Sequence, residues 1–158
     1  TQDKLSYMVK GKNLGLELLV LKWPKDKRNI SFELELRKFM NSIDFLPITI
    51  VFNGMQIHRD GCIVVRGFDV DNKFRDLRNL IMNTYPQLPR KQSQWVHVPI
   101  GRLLHQIDLN TFHKLYDFTI STQLDFNLIP TQVLNSLKLI YEVQWYMENR
   151  SLIQEWKT

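Results

Sequence analysis

Apolar positions along the chain switch between two rhythms. Leu14 to Trp23 is mostly apolar and stops at Pro24, and a short apolar run closed by a turn signal predicts a buried strand. Pro24 to Asn29 (PKDKRN) is a charged loop. Helical spacing then takes over: Phe32, Leu36, Phe39, Met40 and Ile43 share a face, with Glu33 and Glu35 near the positive end of the helix dipole. This predicts a helix over Ile30 to Ile43. After Pro47 comes a strand over Ile48 to Phe52. Asn53-Gly54 and Asp60-Gly61 are turn dipeptides, and short strands Met55 to His58 and Cys62 to Gly67 lie between and after them.

In the second half, Asp71 is placed to cap a helix carrying Phe74, Leu77, Leu80 and Ile81 on one face. Pro86 and Pro89 bound a loop ending in Arg90-Lys91. Gln94 to Leu103 reads as a strand and Asn110 to Phe118 as a third helix. Val133 to Tyr141 fits either period: Leu137, Leu139 and Tyr141 alternate, while Leu134, Leu137, Tyr141 and Trp145 suit a helix. Ser151 to Trp156 is a closing strand. Strands and helices alternate twice in similar order, which predicts an α+β fold with two comparable lobes. Residues 1–13 form a polar N-terminal segment, loose at its start, and residues 14–158 a single domain.

Composition narrows the class. At 158 residues the chain is one domain's length, and its 44% hydrophobic content excludes disorder. Eleven per cent aromatic residues supply ample core material. A membrane helix needs about 20 apolar residues, and no uninterrupted apolar stretch exceeds the four of Leu18 to Leu21. No membrane partner is expected. A net charge of +5 and a pI near 9.4 suit an anionic partner, although mild basicity is also common elsewhere. Cys62 is the single cysteine, so no internal disulfide forms and a reducing compartment fits, with the cytoplasm as default. No secretory leader is visible. The chain begins at Thr1 rather than Met, as a piece of a longer polypeptide would.

Several large enzyme classes are absent by motif. There is no Cys/His cluster with zinc spacing, no HExxH, no Gly-rich phosphate loop and no GxSxG. No metal or cofactor is expected. What remains is His97, in Trp95-Val96-His97-Val98-Pro99-Ile100-Gly101-Arg102. In a strand, Val96, Val98 and Ile100 face the core, and His97 and Pro99 face a groove or solvent.

This segment resembles the second signature of the two-histidine phosphoesterases, the 2'-5' RNA ligase-like superfamily. That signature is His-x-Thr/Ser on a strand, often with an Arg three residues beyond the hydroxyl. Pro47 to Gly54 with Asp60 to Phe68 is similar to the paired strands after the family's first helix. Leu137 to Glu142 with Trp145 to Glu148 and Leu152 looks like its closing hairpin, which decides the ambiguous segment in favour of strands. The resemblance spans about Leu14 to Trp156. It implies a bilobed fold, with antiparallel sheets lining a central groove and helices outside. It also implies metal-free cleavage of 2',3'-cyclic or 2'-5' phosphodiesters by two histidines, one taking a proton and one giving it.

The sequence departs from that pattern. Gly15 stands at the first histidine position, Glu17 at its hydroxyl position, and Pro99 at the second hydroxyl position. Loss of one acid/base group costs about 10² to 10⁴ in rate. A carboxylate about 4 Å from a phosphate charge opposes it by roughly 4 kcal/mol at an effective dielectric near 20. Glu17 as base with His97 as acid is the rescue that remains. Arg102 matches the family's basic position and either binds an anion or pairs with an acid. Trp145 and Tyr146 either stack on a base or pack in the hairpin. His58 reads as a solvated turn residue, and His105 and His113 as surface residues. Lys22, Lys25, Lys27, Arg28, Arg90 and Lys91 form a basic rim or merely solvated loops.

Three readings follow. In the first, the domain is degenerate and binds a nucleotide, an RNA end or a protein without efficient catalysis, as one domain of a larger assembly. In the second, it is an active phosphodiesterase using His97. In the third, it is a structural interaction module.

Overall fold

The computed structural model describes residues 5–158, and the side chains of all of these but Leu124, Phe126 and Trp145. The fold is α+β. Five antiparallel strands form a curled sheet in the order β1-β4-β3-β2-β5: β1 (Ser6–Met8), β2 (Ile48–Ile57), β3 (Cys62–Asp69), β4 (Val96–Leu103) and β5 (Gln132–Leu134). A separate hairpin pairs β6 (Ser136–Glu142) with β7 (Arg150–Lys157). The helices are α1 (Ile30–Asn41), α2 (Lys73–Thr84), α3 (Leu109–Ser121) and the single turn α4 (Gln123–Phe126). Among the described residues no helix is long and apolar enough to cross a membrane.

Local chemistry sets the helix starts. The Phe32 N–H donates to the Asn29 side chain (3.1 Å) and the Thr111 N–H to Asp108 (2.7 Å), capping α1 and α3. At α2 the cap differs from expectation. Asn72 enters the helix in the left-handed region (φ 61), Asp71 accepts from the Lys73 N–H at 3.3 Å, and Asp69 takes the Arg75 N–H at 2.8 Å. The buried face of α2 is Phe74, Leu77, Arg78 and Ile81, and Leu80 is exposed.

The core lies where these faces meet. Leu36 and Met40 of α1 and Phe74, Leu77 and Ile81 of α2 pack with Ile48, Ile50 and Val96 of the sheet and Leu139 of the hairpin. Phe32 and Phe39 both set their edges on Tyr85 (5.2 and 5.8 Å). The hairpin is fastened to α1 by Trp156, whose indole N–H donates to Asn41 at 2.7 Å.

Three expectations are corrected. Leu14 to Trp23 is not a strand: it runs along β4 with no ladder, because side chains take its backbone groups. Gln92 accepts from the Val20 N–H (2.9 Å) and donates to the Val20 carbonyl (2.7 Å), while Arg78 donates to the carbonyls of Leu18 (2.8 Å) and Glu17 (3.3 Å). Asn53-Gly54 is not a turn. Phe52 pairs with Gly67 and Gly54 with Arg66, so Asn53 is an extra residue, a bulge inside one continuous strand. The polar N-terminal segment is partly built into the sheet, since Ser6–Met8 pairs with Met8↔Gly101 through Ser6↔Leu103; its expected loose start lies outside the described residues. The hairpin at Asp60-Gly61 and the β6–β7 hairpin match expectation.

Gly67 admits no side chain: a Cβ there would lie 2.7 Å from the Val51 carbonyl oxygen and 3.1 Å from the Phe52 ring. Gly67→Ala is therefore expected to lower stability by about 2 kcal/mol in denaturant titration. Gly11→Ala, at a site where a Cβ meets nothing within 4 Å, serves as the neutral control.

Candidate functional site

The groove is built on an irregularity in β4. Ile63 pairs with Gly101 but Val64 with Pro99, so Ile100 is surplus on β4. Directly opposed residues of an antiparallel pair share a face. Arg66↔His97, Val64↔Pro99 and Cys62↔Arg102 therefore put His97, Pro99 and Arg102 on one side. Simple alternation separates an odd from an even position. The surplus residue reverses that and brings Arg102 round to His97.

These residues form one wall of a groove of about 1020 Å³, at the upper limit of small-molecule sites. The adjacent wall is the irregular segment with Gly15 and Glu17, and Glu142 and Tyr146 of the hairpin also line the groove. Arg78 holds the two walls together. It is buried, and it donates to Leu18 and Glu17 on one wall and to the Trp95 carbonyl (3.2 Å) leading into the other. The Glu17 N–H donates to the His97 carbonyl at 3.4 Å, which places the two candidate residues side by side.

His97 is buried, and burial pushes its pKa below the usual histidine value; Arg78 and His58 act in the same direction. Its Nδ1 lies 3.1 Å from the Ser93 hydroxyl and 3.4 Å from the Trp95 carbonyl. Both contacts are made by Nδ1, so the ring is anchored through that nitrogen. Burial pushes the Glu17 carboxyl above its usual range, and the Arg78 guanidinium opposes this only in part. Glu142 is raised as well, chiefly by burial, although it accepts from the Met147 N–H at 3.0 Å. The expected roles thus invert: a neutral imidazole suits a base, and a carboxyl pushed upward suits an acid.

Arg102 donates to the Asp60 carbonyl (3.0 Å) and reaches its carboxylate at 3.4 Å. Arg102 also donates toward the Tyr146 hydroxyl, which donates toward the Cys62 sulfur. Burial and Asp60 raise the Cys62 pKa, keeping it a thiol. Tyr146 sits at φ 64 and Met147 at φ 59, a left-handed turn that aims the Tyr146 side chain inward. The Tyr146 ring stacks on Tyr7 at 5.2 Å, and the Tyr7 hydroxyl donates to Glu148, which pushes Tyr7 up to about 12.

Of the residues singled out from the sequence, the groove brings together His97, Glu17, Arg102 and Tyr146. The side chain of Trp145 lies outside the described residues. His58 is corrected: it is half-buried and lines the same groove instead of standing in a solvated turn. His105 and His113 are exposed, as expected. Sequence reasoning missed Arg78, Ser93, Cys62 and Glu142. Only Arg78 carried a signal, as a charge spaced between apolar positions of α2. Among the described residues no group of three His, Cys, Asp or Glu side chains is placed to hold a metal ion. No family model, curated protein or solved structure matches the chain.

Arg78→Met strands three carbonyls and is expected to cost at least about 3 kcal/mol in denaturant titration. Glu17→Gln has a pH signature. The folded state binds the Glu17 proton more tightly than the unfolded state, so ionising this buried carboxyl lowers stability as pH rises above the usual glutamate range. The variant is expected to melt higher than the parent at pH 7, and the gap should close as pH falls below 4.5.

Proposed function

We propose that the chain is a degenerate domain of the bilobed two-histidine phosphoesterase type, whose groove binds a nucleotide or an RNA end without efficient turnover. The observation that carries this reading is the company His97 keeps. Beside it stand Glu17, a carboxyl, and Pro99, a ring with no donor. Phosphoryl chemistry at this position needs a second acid/base group and donors on the phosphate oxygens. Arg102 supplies one cation, already shared with Asp60. The groove's size and its basic rim, including Lys12, Lys22, Lys27 and Lys91, support an anionic ligand.

The parent is expected to bind a 2',3'-cyclic ribonucleotide or a short RNA saturably. Affinity should fall with salt at a slope of about −0.7 per phosphate contacted, with no turnover above the blank. Gly15 lines the groove, and a Cβ there meets nothing within 4 Å, so a side chain fits. The triple variant Gly15→His, Glu17→Thr, Pro99→Thr is expected to gain measurable hydrolysis of the cyclic nucleotide.

A second reading, an active phosphodiesterase, is favoured by one observation: His58 lines the groove with His97. In that case His97 takes the proton from the attacking oxygen, and His58 or the carboxyl of Glu17 returns one to the leaving oxygen. Robust turnover of the cyclic nucleotide by the parent, abolished in both His97→Ala and His58→Ala, would replace the degenerate reading with this one.

A further inference from the structure

We infer that Trp95 is the base-stacking platform of the groove, and that the ligand is therefore single-stranded RNA, seated with one base on this indole and a phosphate toward Arg102. The inference rests on the groove-binding reading above and adds the residue that recognises the base.

Trp95 combines two properties that seldom coincide. Its side chain is 62% exposed, although it lines the groove two residues before His97. Its backbone is held on both sides. The N–H donates to the Ser93 hydroxyl at 3.2 Å, and the carbonyl accepts from Arg78 at 3.2 Å and faces His97 Nδ1 at 3.4 Å. Leu128 and Leu109 are more exposed but stand outside the groove lining, and Trp23, which lines it with its N–H held by Asp26 at 2.9 Å, is only 37% exposed. Among the described residues Trp95 stacks on no other ring. A large aromatic face fixed at its root and left open binds a planar partner with little loss of conformational entropy.

Charge decides what the planar partner is attached to. Lys12, Lys22, Lys27, Lys91 and Arg150 all border the groove, and the chain carries +5 overall. The carboxyls that line the groove, Glu17, Glu33, Asp60 and Glu142, are outnumbered by its lysines and arginines. A cationic rim around a stacking surface is the arrangement that binds single strands: backbone phosphates meet the rim and bases meet the ring, with little dependence on sequence. A duplex hides its base faces and cannot use the indole.

The test compares three proteins, the parent, Trp95→Ala and Trp95→Phe, against two probes by fluorescence anisotropy: a short oligouridylate and the same oligomer with abasic sugars. Stacking contributes enough that Trp95→Ala is expected to bind oligouridylate about tenfold more weakly. Trp95→Phe should retain most of the affinity, all three should bind the abasic probe alike, and the salt slopes should be equal. Melting curves verify that the variants are folded, and Trp95→Phe keeps the comparison valid if Trp95→Ala is not. Equal losses on both probes, or no loss on either, would overturn the platform while leaving the groove as an RNA or phosphate site. Absence of any parent binding to either probe, including the case where only a protein ligand is captured, would overturn both readings together.

Discussion

The groove depends on one guanidinium. Arg78 projects from the buried face of α2 and ends on three main-chain carbonyls drawn from two segments far apart in sequence. Among the described residues no carboxylate lies within salt-bridge distance of it, so its charge is compensated by backbone dipoles and, more remotely, by Glu17 and Asp69. A buried charge held in this way is costly to strip of its partners, which makes the contact all-or-none. With it in place, a segment that has no strand partner of its own is held against β4 firmly enough to serve as a wall. Gln92 does the same for Val20, clasping both of its backbone groups.

That wall brings an acid and an imidazole together in a place that suits neither charge. Burial lifts the carboxyl and depresses the imidazole, so both are driven toward their neutral forms. The groove therefore disfavours charge on these two groups, while lysines and arginines outnumber the carboxyls along its lining. A ligand with an anionic backbone and neutral planar groups finds each part met by the matching region. Such an interior also explains why having the right residue types near one another is not the same as having an acid/base pair: the proton positions favour the reverse of the roles that residue type alone assigns.

What could be read from the sequence follows the distance over which each signal acts. The helices α1, α2 and α3 were legible because periodicity acts within a few residues, whereas the caps Asn29 and Asp108 went unread and the cap expected at Asp71 gives way to a left-handed Asn72. The segment from Leu14 to Trp23 was not, because its apolar content is right for a strand but its hydrogen-bond partners are side chains from α2 and a distant loop. Asn53-Gly54 misleads for a related reason: the same dipeptide that reverses a chain also absorbs an extra residue in a continuous strand, and only the pairing with Gly67 and Arg66 distinguishes the two. His97 was legible as a groove residue from alternation. Tyr146 was legible as an aromatic near the site, whereas its left-handed backbone, which directs it inward, was not. His58 was misjudged because the turn that contains it folds back against Cys62, through the His58 N–H to the Cys62 carbonyl at 2.8 Å.

The surplus residue in β4 has a consequence for how this strand can vary. It acts like a frameshift. Removing Ile100 would abolish the bulge yet keep His97, Pro99 and Arg102 on one side, because the shortened strand alternates strictly; regular pairing with Ile100 retained would instead rotate the guanidinium to the side that carries Val96. The chemistry of the groove is therefore encoded in how the strand pairs as much as in its composition: it can lose the extra residue and keep the site, but it cannot straighten with that residue in place.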